Sequence, residues 1–246
     1  SPFVRKVCLV AEEKGVTYEL VMSSPGSPDP DFVAASPFGK IPAMKDGDYS
    51  LADSTAIVTY MEAKQPAPTL LPAEAKARGR AMWFDEFADT IYGTSGLKVV
   101  FNRLVAPRIL KLPYDEAIAL QGEAELPRIV DYLESVVPAE GWLVGAFTLG
   151  DISVASMLRT MSYVGHGPNA AKYPKTAAWY DRVRARPGWQ AVAAQEADVR
   201  YSVARTYLSV LYARSARQIG EQALEEHPLT QPRLGRLEPL EPAGSQ

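Results

Sequence analysis

A few short stretches of this chain carry groups from which chemistry could be built. Asp53-Ser54 stands where a helical run begins. The first turn of a helix offers free N–H groups and positive potential, which suit a carboxylate. The Ser54 hydroxyl would add a donor, and Asp53 could pair with an ammonium. A plain capping aspartate fits the same residues. Ser1, ahead of Pro2-Phe3-Val4-Arg5-Lys6-Val7, stands at another helix start, where a plain helix cap and a functional hydroxyl fit it equally. In Ser36-Pro37-Phe38-Gly39-Lys40-Ile41-Pro42 a cis bond before Pro42 would turn the backbone N–H and C=O outward. Such a peptide can pair with an extended tripeptide as a strand would. An ordinary proline at the start of a strand is the other reading. Thr148-Leu149-Gly150-Asp151 has the spacing of a capping box, with Phe147 and Ile152 placed as a hydrophobic staple. Its role is structural.

Other reactive types are scarce. The single cysteine, Cys8, lies two turns into the first helical run and reads as a buried, inert thiol. His166, in the turn Gly165-His166-Gly167-Pro168, reads as solvated, and His227 precedes a polar stretch. Two histidines and one cysteine argue against a dedicated zinc site and leave little for histidine-centred acid–base work. One cysteine excludes an intramolecular disulfide and makes a cytoplasmic setting the default expectation. The net charge of −3 gives no basic field for nucleic acid or an anionic membrane. No run reaches the roughly 18–20 apolar residues that span a bilayer.

The elements that must hold these groups fall into two textures. Residues 1–64 alternate. A helix over Pro2–Lys14 has Val4, Val7, Cys8 and Ala11 on one face, with Lys6, Glu12, Glu13 and Lys14 placed mostly elsewhere, and Gly15 stops it. A strand over Val16–Met22, a helical turn over Asp31–Ala35, and a hairpin of Ile41–Lys45 with Tyr49–Ala52 around Asp46-Gly47-Asp48 follow. Asp53 to Lys64 is a helix. Residues 65–72 form a linker with three prolines. Beyond it, over 73–227, helical runs cover Ala73–Leu104, Asp115–Val137, Asp151–Val164, Thr176–Arg186 and about Val199–Leu224, punctuated by prolines. Strands are expected only before about residue 53. Residues 228–246 are polar and proline-rich and read as a disordered tail.

In order and spacing, these stretches resemble the cytosolic glutathione transferases of the Ser type (phi-, tau- or theta-like, or a related bacterial class), over roughly Ser1 to Ala197. The resemblance implies a thioredoxin-like α/β domain followed by an all-α domain, with glutathione as co-substrate. It implies that the Ser1 hydroxyl meets the glutathione sulfur, that Ile41, before a cis Pro42, hydrogen-bonds the cysteinyl backbone, and that Lys40 and Pro42 belong to the same glutathione-binding segment. It also implies that Asp53 and Ser54 hold the γ-glutamyl end, although the family's usual acidic residue is Glu. The family more often has Asn than Ser before Pro37. Members begin with a strand before this serine, so the resemblance leads us to expect an absent first strand and a gap in the sheet where Ser1 enters.

The chemistry so implied is thiolate activation. A glutathione thiol has a free pKa of about 8.5, and lowering it by about two pH units takes roughly 2.7 kcal/mol. One hydrogen bond to a charged group supplies about 1.5–3 kcal/mol, and a helix N-terminus about 0.3–1 kcal/mol. A serine donor needs no histidine. A small apolar electrophile would sit between the domains, with Phe3, Tyr92, Ser95, Val99 and Tyr163 as candidates, although aromatics at helical spacing are more often core. The alternatives are a non-catalytic binding or assembly module on the same fold, and a glutathione-dependent isomerase or dehalogenase. Retention of Ser1, Lys40, Pro42 and Ser54 favours the enzyme. A homodimer is expected from the resemblance.

Overall fold

A computed structural model describes residues 1–23, 26–202 and 207–211, with the backbone alone for 198–202 and 207–211. Helix α1 spans Pro2–Lys14. Pro2 suits its first turn, where no intrahelical donor is needed, and Gly15 closes it in the left-handed region at φ 64°. Strand β1 (Glu19–Ser23) follows, then the short helix α2 (Pro30–Ala35), which Asp29 caps through the Phe32 N–H at 3.0 Å. Strands β2 (Ala43–Asp46) and β3 (Tyr49–Ala52) form the expected antiparallel hairpin around Gly47-Asp48. Helix α3 spans Ser54–Lys64.

Residues 75–110 are continuously helical: α4 (Ala75–Glu86), a π-helical segment (Phe87–Tyr92), α5 (Gly93–Val100), and a second π-helical segment (Phe101–Leu110). Helices α6 (Glu116–Val136), α7 (Leu149–Ser162), α8 (Pro174–Arg184) and α9 (Pro187–Ser202) complete the helical part. At Gly150 an added Cβ would lie 2.8 Å from the Phe84 side chain and 3.1 Å from the Ala81 carbonyl, so α7 can lie this close to α4 only with glycine there. Glu134 of α6 caps α8 from outside, accepting from the Lys175 and Thr176 N–H groups and the Thr176 hydroxyl.

Two sequence expectations are corrected. The first concerns strands. Tyr207–Leu211 forms β4, antiparallel to β1, with Val21 opposite Ser209. Strands are therefore not confined to the region before residue 53, and the helical run expected over Val199–Leu224 ends at Ser202 within the described residues. A short apolar run such as Tyr-Leu-Ser-Val-Leu fits helix or strand, and the available partner decides. β1 and β2 are not bonded to each other; β4 pairs with β1 and runs beside β2, so the place where an open gap in a three-stranded sheet was expected is taken by a strand from the far end of the described residues. The second concerns α1. It packs against α3, α7 and α9, so it is buried nearly all round. Lys6 and Lys14, expected mostly off the apolar face, are buried at 1% and 2% exposure. The Lys14 ammonium donates to Glu62 at 3.0 Å and to the Pro68 carbonyl at 2.7 Å. His227 and the tail over 228–246 lie outside the described residues.

Candidate active site

Ser1 is exposed at the start of α1. Its carbonyl accepts from the Arg5 N–H at 3.1 Å, and its Oγ accepts from the Val4 N–H at a long 3.5 Å. A hydroxyl that accepts through a lone pair keeps its own hydrogen to donate. Capping and thiolate binding are therefore compatible roles for one oxygen. Phe3 is half-buried beside it.

The Ser36–Pro42 stretch is a tight turn held by its first residue. The Ser36 Oγ accepts from the Lys40 N–H at 2.9 Å and donates to the Lys40 carbonyl at 2.7 Å, while the Gly39 N–H donates to the Ser36 carbonyl at 2.8 Å. Gly39 sits at φ 63°, and a Cβ there would come within 3.1 Å of the Gly26 backbone. Both facts require glycine. The turn delivers Lys40 exposed, Ile41 half-buried and Pro42 buried, and the Ile41–Pro42 peptide is cis.

Asp53 opens α3 in a conformation rare for a non-glycine residue, φ 80° and ψ 131°. Its Oδ1 accepts from the Thr55 and Ala56 N–H groups, each at 3.0 Å. One carboxylate oxygen is thus committed to capping. Ser54, the first helical residue, is 3% exposed. α1 and α3 pack together, and β2, which begins just after Pro42, packs on α3. The elements that carry Ser1, Pro42 and Ser54 are therefore neighbours.

The other candidate residues are scattered. Tyr92 and Val99 are fully buried, and burial pushes the Tyr92 hydroxyl well above the usual tyrosine range. The Ser95 hydroxyl donates to Glu125 at 2.5 Å. These three sit inside the helical packing rather than on an open surface. Tyr92 ends the first π-helical segment, and Ser95 and Val99 follow it in α5; π geometry bonds i to i+5, so a face counted at 3.6 residues per turn changes phase there. Tyr163 is half-buried. Its hydroxyl accepts from Arg5 Nη2 and donates to Glu196, both at 3.3 Å. Arg5, itself buried, also reaches Glu196 at 2.5 Å and the Thr160 hydroxyl at 2.9 Å.

Sequence reasoning missed a buried charge cluster. The Lys6 ammonium donates to Thr55 Oγ1 at 3.0 Å, Asp85 Oδ1 at 2.6 Å and Asp89 Oδ2 at 2.7 Å. The Thr55 hydroxyl donates to the other Asp85 oxygen at 2.8 Å, and Ser153 of α7 donates to Asp85 at 2.6 Å. One signal for it was available. Lys6 and Lys14 share a helical stripe with the apolar Val10, so the charged residues of α1 are not gathered on one polar face as those of a surface helix would be.

The family model for the glutathione S-transferase N-terminal domain matches residues 1–69, and that for the C-terminal domain matches residues 114–195. Glutathione S-transferase 3 of Zea mays is 33% identical over 197 residues, covering 77% of this chain and 88% of its own length. The chain belongs to the glutathione S-transferase family. Glutathione S-transferase F10 of Arabidopsis thaliana is 29% identical over 199 residues, covering 78% of this chain and 92% of its own. A solved structure of glutathione S-transferase III in apo form superposes with a TM-score of 0.69 at 33% identity, covering 79% of this chain and 92% of that one. The fold class expected from the sequence, a thioredoxin-like N-terminal part and a helical C-terminal part, is that of this glutathione S-transferase family.

Proposed function

We propose that this glutathione S-transferase binds glutathione along α1 and α3 and activates its thiol through the Ser1 hydroxyl. The reading rests on one observation: Ser1 caps α1 with an exposed hydroxyl whose own hydrogen stays available, and α1 packs on the helix that begins at Ser54. Glutathione would lie extended between these helix starts, its cysteinyl backbone against Ile41, beside Lys40 and Pro42, and its γ-glutamyl carboxylate at Ser54. The second Asp53 oxygen would take the γ-glutamyl ammonium. A thiolate held at a helix N-terminus by a serine donor attacks a small apolar electrophile directly, so no general base is required. Of the residues considered for the electrophile, Phe3 and Tyr163 remain on accessible surface. The division into residues 1–64 and 73–227, a homodimer and a cytoplasmic setting belong to the same proposal. No helix among the described residues is long and apolar enough to cross a membrane.

The test is the pH profile of turnover for wild type and Ser1→Ala. Losing one bond to a charged sulfur, about 1.5–3 kcal/mol, lowers turnover at neutral pH by about ten- to a hundredfold. Backbone and helix-end contacts bind thiol and thiolate nearly alike, so glutathione affinity falls only modestly. The deficit shrinks as pH approaches the free thiol value of about 8.5. Coincident profiles for the two proteins would leave Ser1 as a cap alone.

A further inference from the structure

The buried cluster around Lys6 joins the elements that the glutathione site requires. Lys6 lies on α1 five residues after Ser1, and Thr55 directly follows Ser54 on α3. Asp85 ends α4's buried face, Asp89 lies in the π-helical segment that follows, and Ser153 is on α7. Lys6 is 1% exposed and Asp85 0% exposed, while the Asp89 side chain reaches solvent at 20% exposure. The three ammonium hydrogens of Lys6 have one acceptor each: Thr55, Asp85 and Asp89. Thr55 is gripped twice, its N–H by Asp53 and its hydroxyl between Lys6 and Asp85.

Such a cluster is poorly explained as a source of stability. Desolvating an ammonium and two carboxylates costs several kcal/mol per ion, and apolar residues of similar volume often do as well or better. What ions and hydroxyls supply, and apolar contacts do not, is direction. An ammonium with three fixed acceptors sets where α1, α3 and α4 stand relative to one another, whereas apolar surfaces can slide.

We propose that Lys6 and Thr55 are positioning residues for glutathione: the latch they form with Asp85 and Asp89 fixes the separation between the Ser1 hydroxyl, which meets the sulfur, and the Asp53–Ser54 turn, which meets the γ-glutamyl end. The proposal rests on the glutathione reading above. It assigns the helical part a role in binding glutathione, through Asp85 and Asp89, without contact to the tripeptide. A bound tripeptide spans both helix starts, so a shift of the α3 turn loosens one end while the sulfur stays on Ser1.

The experiment uses Thr55→Val and Thr55→Ser, with steady-state kinetics varying glutathione and a chloronitrobenzene separately. Valine keeps the shape and removes the hydroxyl that bridges Lys6 and Asp85; serine keeps the hydroxyl. In Thr55→Val the KM for glutathione should rise roughly 5- to 30-fold, the scale of a lost bond combined with a displaced anchor. The kcat at saturating glutathione and the KM for the electrophile should stay within about twofold, because the sulfur end is untouched. Thr55→Ser should return the glutathione KM to within about threefold of wild type. A purely structural cluster would lower the melting temperature and leave both KM values in place, and that outcome overturns the proposal. An equal loss through kcat and both KM values overturns it as well. If Thr55→Val does not fold, Asp89→Asn at the solvent edge of the cluster must show the same split at roughly two- to fivefold; its absence is equally decisive against the latch. Wild-type protein that neither binds immobilised glutathione nor turns over would remove the glutathione reading itself, a failure visible before any variant is made.

Discussion

Replacing Asp151 by Asn tests how the helical part is held. The Asp151 carboxylate is fully buried and collects four donors. Oδ1 accepts from the Leu143 N–H at 3.0 Å and the Trp179 indole N–H at 2.9 Å; Oδ2 accepts from the Thr148 N–H at 3.0 Å and the Thr148 hydroxyl at 3.2 Å. One carboxylate thereby ties the loop before α7, the start of α7 and the middle of α8. Asn can keep its oxygen toward Leu143 and Trp179, but its amide NH2 then faces the Thr148 N–H, donor against donor. A buried N–H left unpaired costs about 1–3 kcal/mol, and the two surviving bonds lose their charge assistance, about 1 kcal/mol each. The flipped rotamer orphans two donors and is worse. Against this, Asn relieves the burial that pushes the Asp151 carboxyl above the usual aspartate range despite its four donors. The net expectation is a loss of about 2–4 kcal/mol, or roughly 4–16 °C in melting temperature for a chain of this size. Urea and thermal unfolding would measure it, with activity per folded molecule unchanged. A loss below about 0.5 kcal/mol would mean that the four bonds do not bear on stability.

Three further outcomes are expected. Thr148→Ala removes the hydroxyl donor to Asp151 and should cost about 0.5–2 kcal/mol in urea unfolding, leaving turnover per folded molecule in place; a large loss of turnover at unchanged stability would give this turn a catalytic role. Burial, opposed by Lys6 and reinforced by Asp85, holds the Asp89 carboxyl above its ordinary value. Its contribution to stability is therefore fully present below the unfolded value of about 3.9 and is lost as pH rises through the native one. Urea midpoints from acid to neutral pH should show wild type losing ground to Asp89→Asn as pH rises, and a flat or opposite difference would refute this. Cys8 is 2% exposed, and burial pushes its thiol up to about 12, so an aromatic disulfide reagent should label it only as the protein unfolds. Labelling of the native protein faster than unfolding would contradict that environment.

What was legible in the sequence and what was not divides by distance along the chain. Asp53 caps α3 through N–H groups two and three residues on, Ser36 closes its turn on Lys40, and Asp151 returns to the Thr148 N–H. Each of these devices is written in a window of a few residues, so spacing alone located two helix starts and one tight turn. Lys6 was misplaced because its partners stand 49 and 79 residues away, and the Ser153–Asp85 bond spans 68. Helical periodicity says which side of α1 is apolar, but not that three elements close around it and turn a lysine inward. Tyr92, Ser95 and Val99 are buried, and the face counted through them at 3.6 residues per turn crosses the end of a π-helical segment that changes its phase, a change that nothing in the residue pattern marks. β4 belongs with Lys6, since Tyr207–Leu211 is an ambiguous apolar run until β1 offers it unpaired backbone groups. The same division bears on function. The groups that would touch glutathione are set by local chain geometry, while in the proposed latch the distance between them is set by the Lys6 ammonium of α1 meeting Thr55 of α3, Asp85 of α4 and Asp89 of the π-helical segment, with Ser153 of α7 holding Asp85. A sequence that keeps the Ser1, Ile41–Pro42 and Asp53–Ser54 stretches but lacks the partners of Lys6 would therefore keep each half of the site and lose its span.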